Sequence, residues 1–303
     1  MTSVDIINKI NSAKSILDVF AASPGSYDIS NWSKIYKSYV KFIHPDICKT
    51  SGIEDINAKL NEFKRQIEDG VSYRDEAAKI TYWPDKVRME YSDAKIARIS
   101  FENWRLLQHH KDAAAINFQK YLPMNMTLTD NVIEYPLFQR SIPLSSLLAS
   151  DLGQNHVNWI INRLFELIAW FESIHIVHAG INLDSVMIIP ESHGIVLNSF
   201  YHMQYIGNNI KTISGKYQSF YPHSLFSTKL ADVNIDIELT KRLAAVLLGD
   251  ASGIGTKLIK THDEDYITFI RKSDAGVKAF DVMDSYKVML KKNFKSQYYT
   301  LYI

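Results

Sequence analysis

The sequence predicts a mostly α-helical fold with a smaller β component, divided near residue 70. Three observations carry this. Apolar residues recur at helical spacing in residues 31–43, 53–67, 156–171 and 235–248. Short alternating runs lie in residues 81–91 and 131–135. Between these regimes, residues 68–80 are charged and aperiodic, which marks a boundary. At 303 residues, 46% hydrophobic and 22% charged, the chain has a globular balance and room for two domains.

A formal net charge of +1 supplies no general electrostatic case for binding nucleic acid or an anionic membrane. The single cysteine, Cys48, excludes an internal disulfide framework and a multi-cysteine zinc site. Apolar runs stay below membrane-spanning length, and the first residues lack a basic segment leading into an apolar core. The expectation is a soluble, cytoplasmic protein.

Residues 13–20 read as a short helix with Ile16, Leu17 and Phe20 on one side, followed by a loop at 21–26. Ser30 or Asn31 can cap the next helix, whose apolar face is Trp32, Ile35, Tyr36, Tyr39, Val40 and Ile43. Lys34, Lys37 and Lys41 form a basic stripe on another face. Pro45 disfavours the α conformation at His44, so the helix should stop there, with Asp46 beside the imidazole. A further helix carries Ile53, Ile56, Leu60, Phe63 and Ile67, with Gly70 as terminator. The two long helices make a hairpin.

This segment resembles a J domain, the module by which DnaJ-type co-chaperones engage DnaK-type ATPases. The resemblance covers residues 10–70. It rests on His44-Pro45-Asp46, Tyr36, the adjacent Lys37, and Leu60-Asn61-Glu62 in the second helix. It implies that His44, Pro45, Asp46, Lys34, Lys37 and Lys41 bind the ATPase and trigger hydrolysis. The sequence departs from the pattern after Asp46, where Ile47-Cys48 replaces the usual basic residues. The plain alternative is a proline-terminated helix with a solvated lysine face.

Beyond an expected linker at 71–80, residues 81–83 and 86–91 read as strands around a turn at Pro84-Asp85. Residues 100–109 look helical with Ser100 as cap, and 121–123 and 131–135 are strand candidates. A strong apolar helix at 156–171 is followed by 174–177, a loop, and a hairpin formed by 187–189 and 195–198. Residues 235–248 form another apolar helix, ending at Gly249.

That order resembles a protein kinase over residues 80–290, an α+β bilobal domain with a reduced N-lobe at 81–136 and a C-lobe at 137–303. The resemblance assigns His178 to the catalytic-loop region, residues 197–200 to the metal-binding loop, and Asp236 to the buried aspartate of the central helix. Phosphoryl transfer needs a carboxylate base and oxygen ligands for magnesium. Gly180 stands at the base position, and Ser185 and Asn198 stand at the metal-ligand positions. Residues 71–152 contain no glycine, so a glycine-rich phosphate loop is missing. Lys95 and Glu102 offer a poor imitation of the kinase lysine–glutamate pair. The scaffold with its chemistry removed resembles a pseudokinase.

His175 and His178 have the spacing of a helical metal pair but sit in an apolar β-branched stretch, so packed histidines are expected and no metal or cofactor site. Residues 253–257 faintly evoke a phosphate loop and read as a turn. Cys48, Ser185 and Ser199 lack an adjacent acid–base pattern. The aromatic tail at 294–303 is expected to pack on the second domain. The combined expectation is a non-enzymatic co-chaperone or adaptor whose partners are a DnaK-type chaperone and an unidentified client. Its rivals are an unusual phosphoryl or nucleotidyl transferase using Asp184, and a scaffold that sequesters the chaperone.

Overall fold

The computed structural model describes residues 2–13, 16–21, 29, 31–137, 141–148, 152–295 and 301. The expected loop at 22–26, Ser30 as a cap and most of the tail lie outside the described residues. Helix predominates over strand. Among the described residues, no helix is long and apolar enough to cross a membrane.

Helix α1 (Ser3–Ser12) opens the chain. It was not expected, although Thr2 and Asp5 form a capping box that announces it. Helices α2 (Ile16–Phe20), α3 (Trp32–Ile43) and α4 (Ile53–Asp69) complete the first part. Tyr36 contacts Asn61, and Ile43 contacts Asn57, so α3 and α4 run antiparallel. Their apolar stripes close on α1 and α2, burying Ile6, Ile10, Phe20, Tyr39, Ile43, Leu60 and Phe63 in one core.

Residues 71–80 are not a linker. They form β1 (Val71–Arg74) and most of β2 (Ala78–Tyr82), which pair antiparallel. The pairing is reinforced by a Ser72–Thr81 hydroxyl bond of 2.8 Å and by Tyr73 stacked on Tyr82. Gly70 joins α4 to this sheet directly. Its φ of +73° and ψ of 175° suit glycine alone. A Cβ there would lie 2.7 Å from Thr81 Cγ2 and 2.8 Å from Tyr82 O.

The sheet continues through β3 (Lys86–Tyr91), β5 (Val132–Pro136) and β4 (Thr127–Thr129), in the order β1-β2-β3-β5-β4. Between β3 and β4 run α5 (Ala94–Gln108) and α6 (Ala115–Phe118). Helix α5 starts six residues before the expected cap. Asp93 caps it, while Ser100 is buried and accepts from Tyr91 OH at 3.1 Å and Phe200 N–H at 3.2 Å. Lys95 and Glu102 are exposed on α5 and are not a strand lysine with its partner. Residues 121–123 end a 3₁₀ turn and are not a strand.

The rest is a helical body. Strand β6 (Ile142–Pro143) precedes α7 (Gln154–Ser173), β7 (Ile176–Val177), the hairpin β8 (Val186–Ile189) and β9 (Gly194–Leu197), and β10 (Gln204–Tyr205). Helices α8 (His223–Thr228), α9 (Asn234–Leu247), α10 (Glu264–Arg271) and α11 (Ala279–Asn293) follow. Helix α9 is buried on nearly every side and lies packed among α7, α10 and α11. The sheet and the helical body share one continuous core, distinct from that of the first part.

Gly70→Ala should lower unfolding free energy by about 2 kcal/mol or more, from backbone strain and collision with β2. Gly52→Ala, also at positive φ but in open space, should cost about 1 kcal/mol. Urea denaturation of both variants checks the difference; equal costs would contradict the tight junction.

Candidate functional sites: an exposed turn and a closed cleft

Helix α3 stops where Pro45 requires. His44 takes φ −59° and ψ 135°, outside the helix. Its carbonyl accepts the N–H groups of Ile47 and Cys48, both at 2.9 Å. Asn57, inside α4, donates its side-chain amide to Ile43 O at 2.7 Å, closing a carbonyl that the helix end leaves open. Lys49 Nζ donates to Pro45 O at 3.1 Å, and the buried Cys48 Sγ meets Thr50 Oγ1 at 3.2 Å.

The turn backbone is therefore held from several directions while its polar side chains face solvent. His44 is 48% exposed and Asp46 86%. The Asp46 N–H donates to His44 Nδ1 at 3.3 Å, and the Asp46 carboxylate lies 3.4 Å from the same nitrogen. Pro45 is half-buried, and Lys34, Lys37 and Lys41 are exposed along α3 leading to the turn. Tyr36 OH donates to Asn61 Oδ1 at 2.6 Å, so this tyrosine sets the spacing of α3 against α4. Asn57 escaped sequence reasoning. In sequence it is one polar residue on a helix, and its partner is 14 positions away.

The second site lies between the sheet and the helical body. The backbone N–H groups of His178 and Ala179 donate to the two carboxylate oxygens of Asp236, each at 2.7 Å. This pair holds Ala179 at a φ of +56°. The Gly180 N–H donates to His178 Nδ1 at 3.2 Å, so Nε2 carries the proton and donates to Ser199 O. Burial pushes His178 down to about 3. Burial pushes Asp236 up to about 7 against the pull of its two N–H donors.

Gly180, Ser185 and Asn198 form the floor. Ser185 Oγ donates to Gly180 O at 2.8 Å and accepts from the Asn182 N–H at 2.9 Å. A Cβ on Gly180 would meet the His202 ring at 2.7 Å, so a carboxylate side chain does not fit there. Above the floor runs a directed chain. Asn198 Nδ2 donates to Tyr82 OH at 3.1 Å, Tyr82 to Tyr73 at 2.5 Å, and Tyr73 to Asp184 O at 2.8 Å.

Asp184 is buried, and its carboxylate accepts from Lys216 Nζ at 2.6 Å and Tyr217 OH at 3.0 Å. Glu76, in the β1–β2 turn, accepts from Ser214 Oγ at 2.8 Å and from the Lys216 N–H. Burial opposes ionisation of Glu76, but these donors hold its carboxyl below the usual range. The hairpin is thereby tied onto the floor. The cavity left among Asp75, Glu76, Asp184, His202 and Lys216 is about 10 Å³, the space of one water. A separate groove of about 790 Å³ lies outside the tyrosine pair, bordered by Trp83, Ile142, Leu148, Asp184 and Leu17.

The remaining candidates resolve as packing or turns. His175 is exposed in a turn at φ +60°, whereas His178 is buried, so the two do not share a helical face. Among the described residues, no group of three His, Cys, Asp or Glu is arranged to hold a metal ion. Gly253 and Gly255 adopt positive φ, and the Lys257 N–H is taken by Asp250 Oδ2 at 3.2 Å. No family model matches the chain, and no curated protein matches it.

Stability should fall on acidification. His178 and His202, which burial pushes down to about 3 and about 4, take up protons only on unfolding. Their contribution is complete above about pH 6.5 and is lost as pH falls toward the folded values. Asp236, shifted upward, slopes the opposite way between about pH 4 and 7. His202→Gln should flatten the profile by one proton, about 1.4 kcal/mol per pH unit between pH 6 and 5. Urea titrations at several pH values check this; parallel profiles would contradict it.

Proposed function

We propose that the protein is a non-enzymatic, cytoplasmic co-chaperone or adaptor. Its first seventy residues act as a J domain that stimulates ATP hydrolysis by a DnaK-type chaperone, and its larger part is a pseudokinase-like scaffold that binds a client or partner. The observation that carries this is His44-Pro45-Asp46 held open to solvent at the end of a basic helix, on an antiparallel helical hairpin. Among the described residues, His44 and Asp46 are exposed, which leaves the turn open to an external partner.

The kinase-like reading is supported by the order of elements. A five-stranded antiparallel sheet with α5 against it precedes a helical body, in which Asp236 of α9 clamps the loop at His178. The non-enzymatic reading is supported by the floor. Gly180, Ser185 and Asn198 present no carboxylate, Asp184 is neutralised by Lys216, and Tyr73 and Tyr82 fill the space above. Partner choice then falls to the outer surface of this part.

Steady-state ATP hydrolysis by a purified DnaK-type chaperone should rise several-fold on adding the protein and not on adding His44→Gln. Equal rates with both would overturn the proposal. Binding without stimulation, lost in Lys37→Ala, would favour a sequestering scaffold.

One observation favours a second reading, transfer of a phosphoryl or nucleotidyl group. The groove of about 790 Å³ has Asp184 at its wall. That reading requires a thermal shift with ATP and magnesium and a labelled product. The closed floor predicts neither.

A further inference from the structure

Strand β1 is an outer strand of the five-stranded sheet, and all four of its residues border the groove outside the tyrosine pair. The Asp75 N–H donates to Ala78 O at 3.0 Å, which makes these two residues a hydrogen-bonded pair of the β1–β2 ladder. Such pairs alternate along an antiparallel ladder, so Val71 and Tyr73 turn their main-chain groups toward β2, while Ser72 and Arg74 turn theirs outward. Among the described residues, nothing receives these outward groups. Val71, Ser72 and Arg74 are exposed. Proteins commonly blunt an open edge with a proline or a bulge. Strand β1 has no proline, and its register runs without a bulge.

The groove of about 790 Å³ has an apolar wall made by Val71, Trp83, Ile142 and Leu148. A strand laid against β1 alternates its side chains, so one of its faces meets this wall and the other stays in water. Charge distinguishes the two ends of the edge. Arg74 and Lys79 stand opposite each other across β1 and β2, and among the described residues neither forms an ion pair. Like charges placed so destabilise a ladder. The carboxylates nearby are engaged elsewhere. Asp75 takes the N–H groups of Ala77 and Ala78, Glu76 that of Lys216, Asp184 the Lys216 ammonium, and Glu90 pairs with Arg88. The exposed Asp69 and Asp85 lie toward the Val71 end. A carboxylate arriving beside Arg74 relieves a repulsion that the fold leaves in place.

Resting on the adaptor reading above, we propose that the β1 edge and its groove are where the larger part takes its client. The guest is an extended polypeptide segment that adds to the sheet as a further strand. It carries apolar side chains at alternate positions and a carboxylate at the Arg74 end. Main-chain bonds to Ser72 and Arg74 supply affinity, and the groove selects the side chains. A second copy of this chain adding its own β1 would bring another Arg74 and Lys79 to the same edge, so the charges favour a different chain.

The test is fluorescence anisotropy of the full chain with a labelled decapeptide of alternating valine and serine ending in glutamate. The same peptide N-methylated at alternate amides keeps the side chains and loses the donors of one edge. It should bind about tenfold more weakly. Arg74→Pro removes an N–H that the free chain leaves unbonded, and Leu148→Ser removes an exposed part of the wall; each should weaken the parent peptide by a similar factor with the unfolding midpoint kept. If Arg74→Pro fails to fold, the peptide pair still decides. Equal binding of the two peptides, or no binding of the parent, would overturn this inference and leave the chaperone response to be judged by its own assay. Concentration-dependent dimerisation of the wild-type chain that Arg74→Pro abolishes would overturn it in favour of a second copy. A DnaK-type ATPase that does not respond to the protein would overturn the adaptor reading, and the guest's standing as a client with it, whatever the peptides do.

Discussion

The larger part of the molecule depends on one buried carboxylate. Asp236 accepts two backbone N–H groups from a loop 57 and 58 residues earlier in the chain, fixing His178 and Ala179 in place. With that loop fixed, His178 reaches Ser199 and Gly180 lies against His202. Ser185 can then close the floor, and β1 and β2 lay Tyr73 and Tyr82 over it. A buried charge tolerates such a position only when hydrogen-bonded, and here both oxygens are occupied. The same constraint closes the cleft. Among the described residues, Asn198 Oδ1 and His202 Nε2 are buried without a hydrogen-bond partner, while Gly180 O and Ser185 Oγ are spent on neighbours.

The first part is built the other way. Its core is small and apolar, and the turn carries several backbone hydrogen bonds, yet His44, Asp46 and the α3 lysines are exposed. Pro45 and Asn57 act together. One stops the helix, and the other satisfies the carbonyl that stopping exposes. The result is a hydrogen-bonded turn that presents exposed polar side chains. Gly70 then joins this part to the sheet with no intervening loop.

Legibility followed the range of the interactions. The helices α3, α4, α7 and α9 were readable because each has its own apolar stripe, and α3, α4 and α9 also have a stop, in Pro45, Gly70 and Gly249. Helix α5 was misplaced because Ser100 looks like a cap in sequence, while its hydroxyl serves Tyr91 and Phe200, the latter 100 residues away. Strand β1 read as a linker because Val71 and Arg74 are exposed. Its ordering comes from β2 and, through Tyr73, from Asp184 at a separation of 111 residues. The turn residues were visible as a local motif. Glu76, Lys216, Tyr73 and Tyr82 were not, since their meaning lies in partners 9 to 140 positions away.

On the proposed reading, a DnaK-type ATPase docks at the turn end of the first seventy residues. Amide chemical-shift mapping of the isotope-labelled full chain against that ATPase tests it most directly. Perturbations are expected at residues 41–49 and along the lysine face of α3, with residues 178–217 unmoved. Perturbations confined to the larger part, with the turn unaffected, would contradict it.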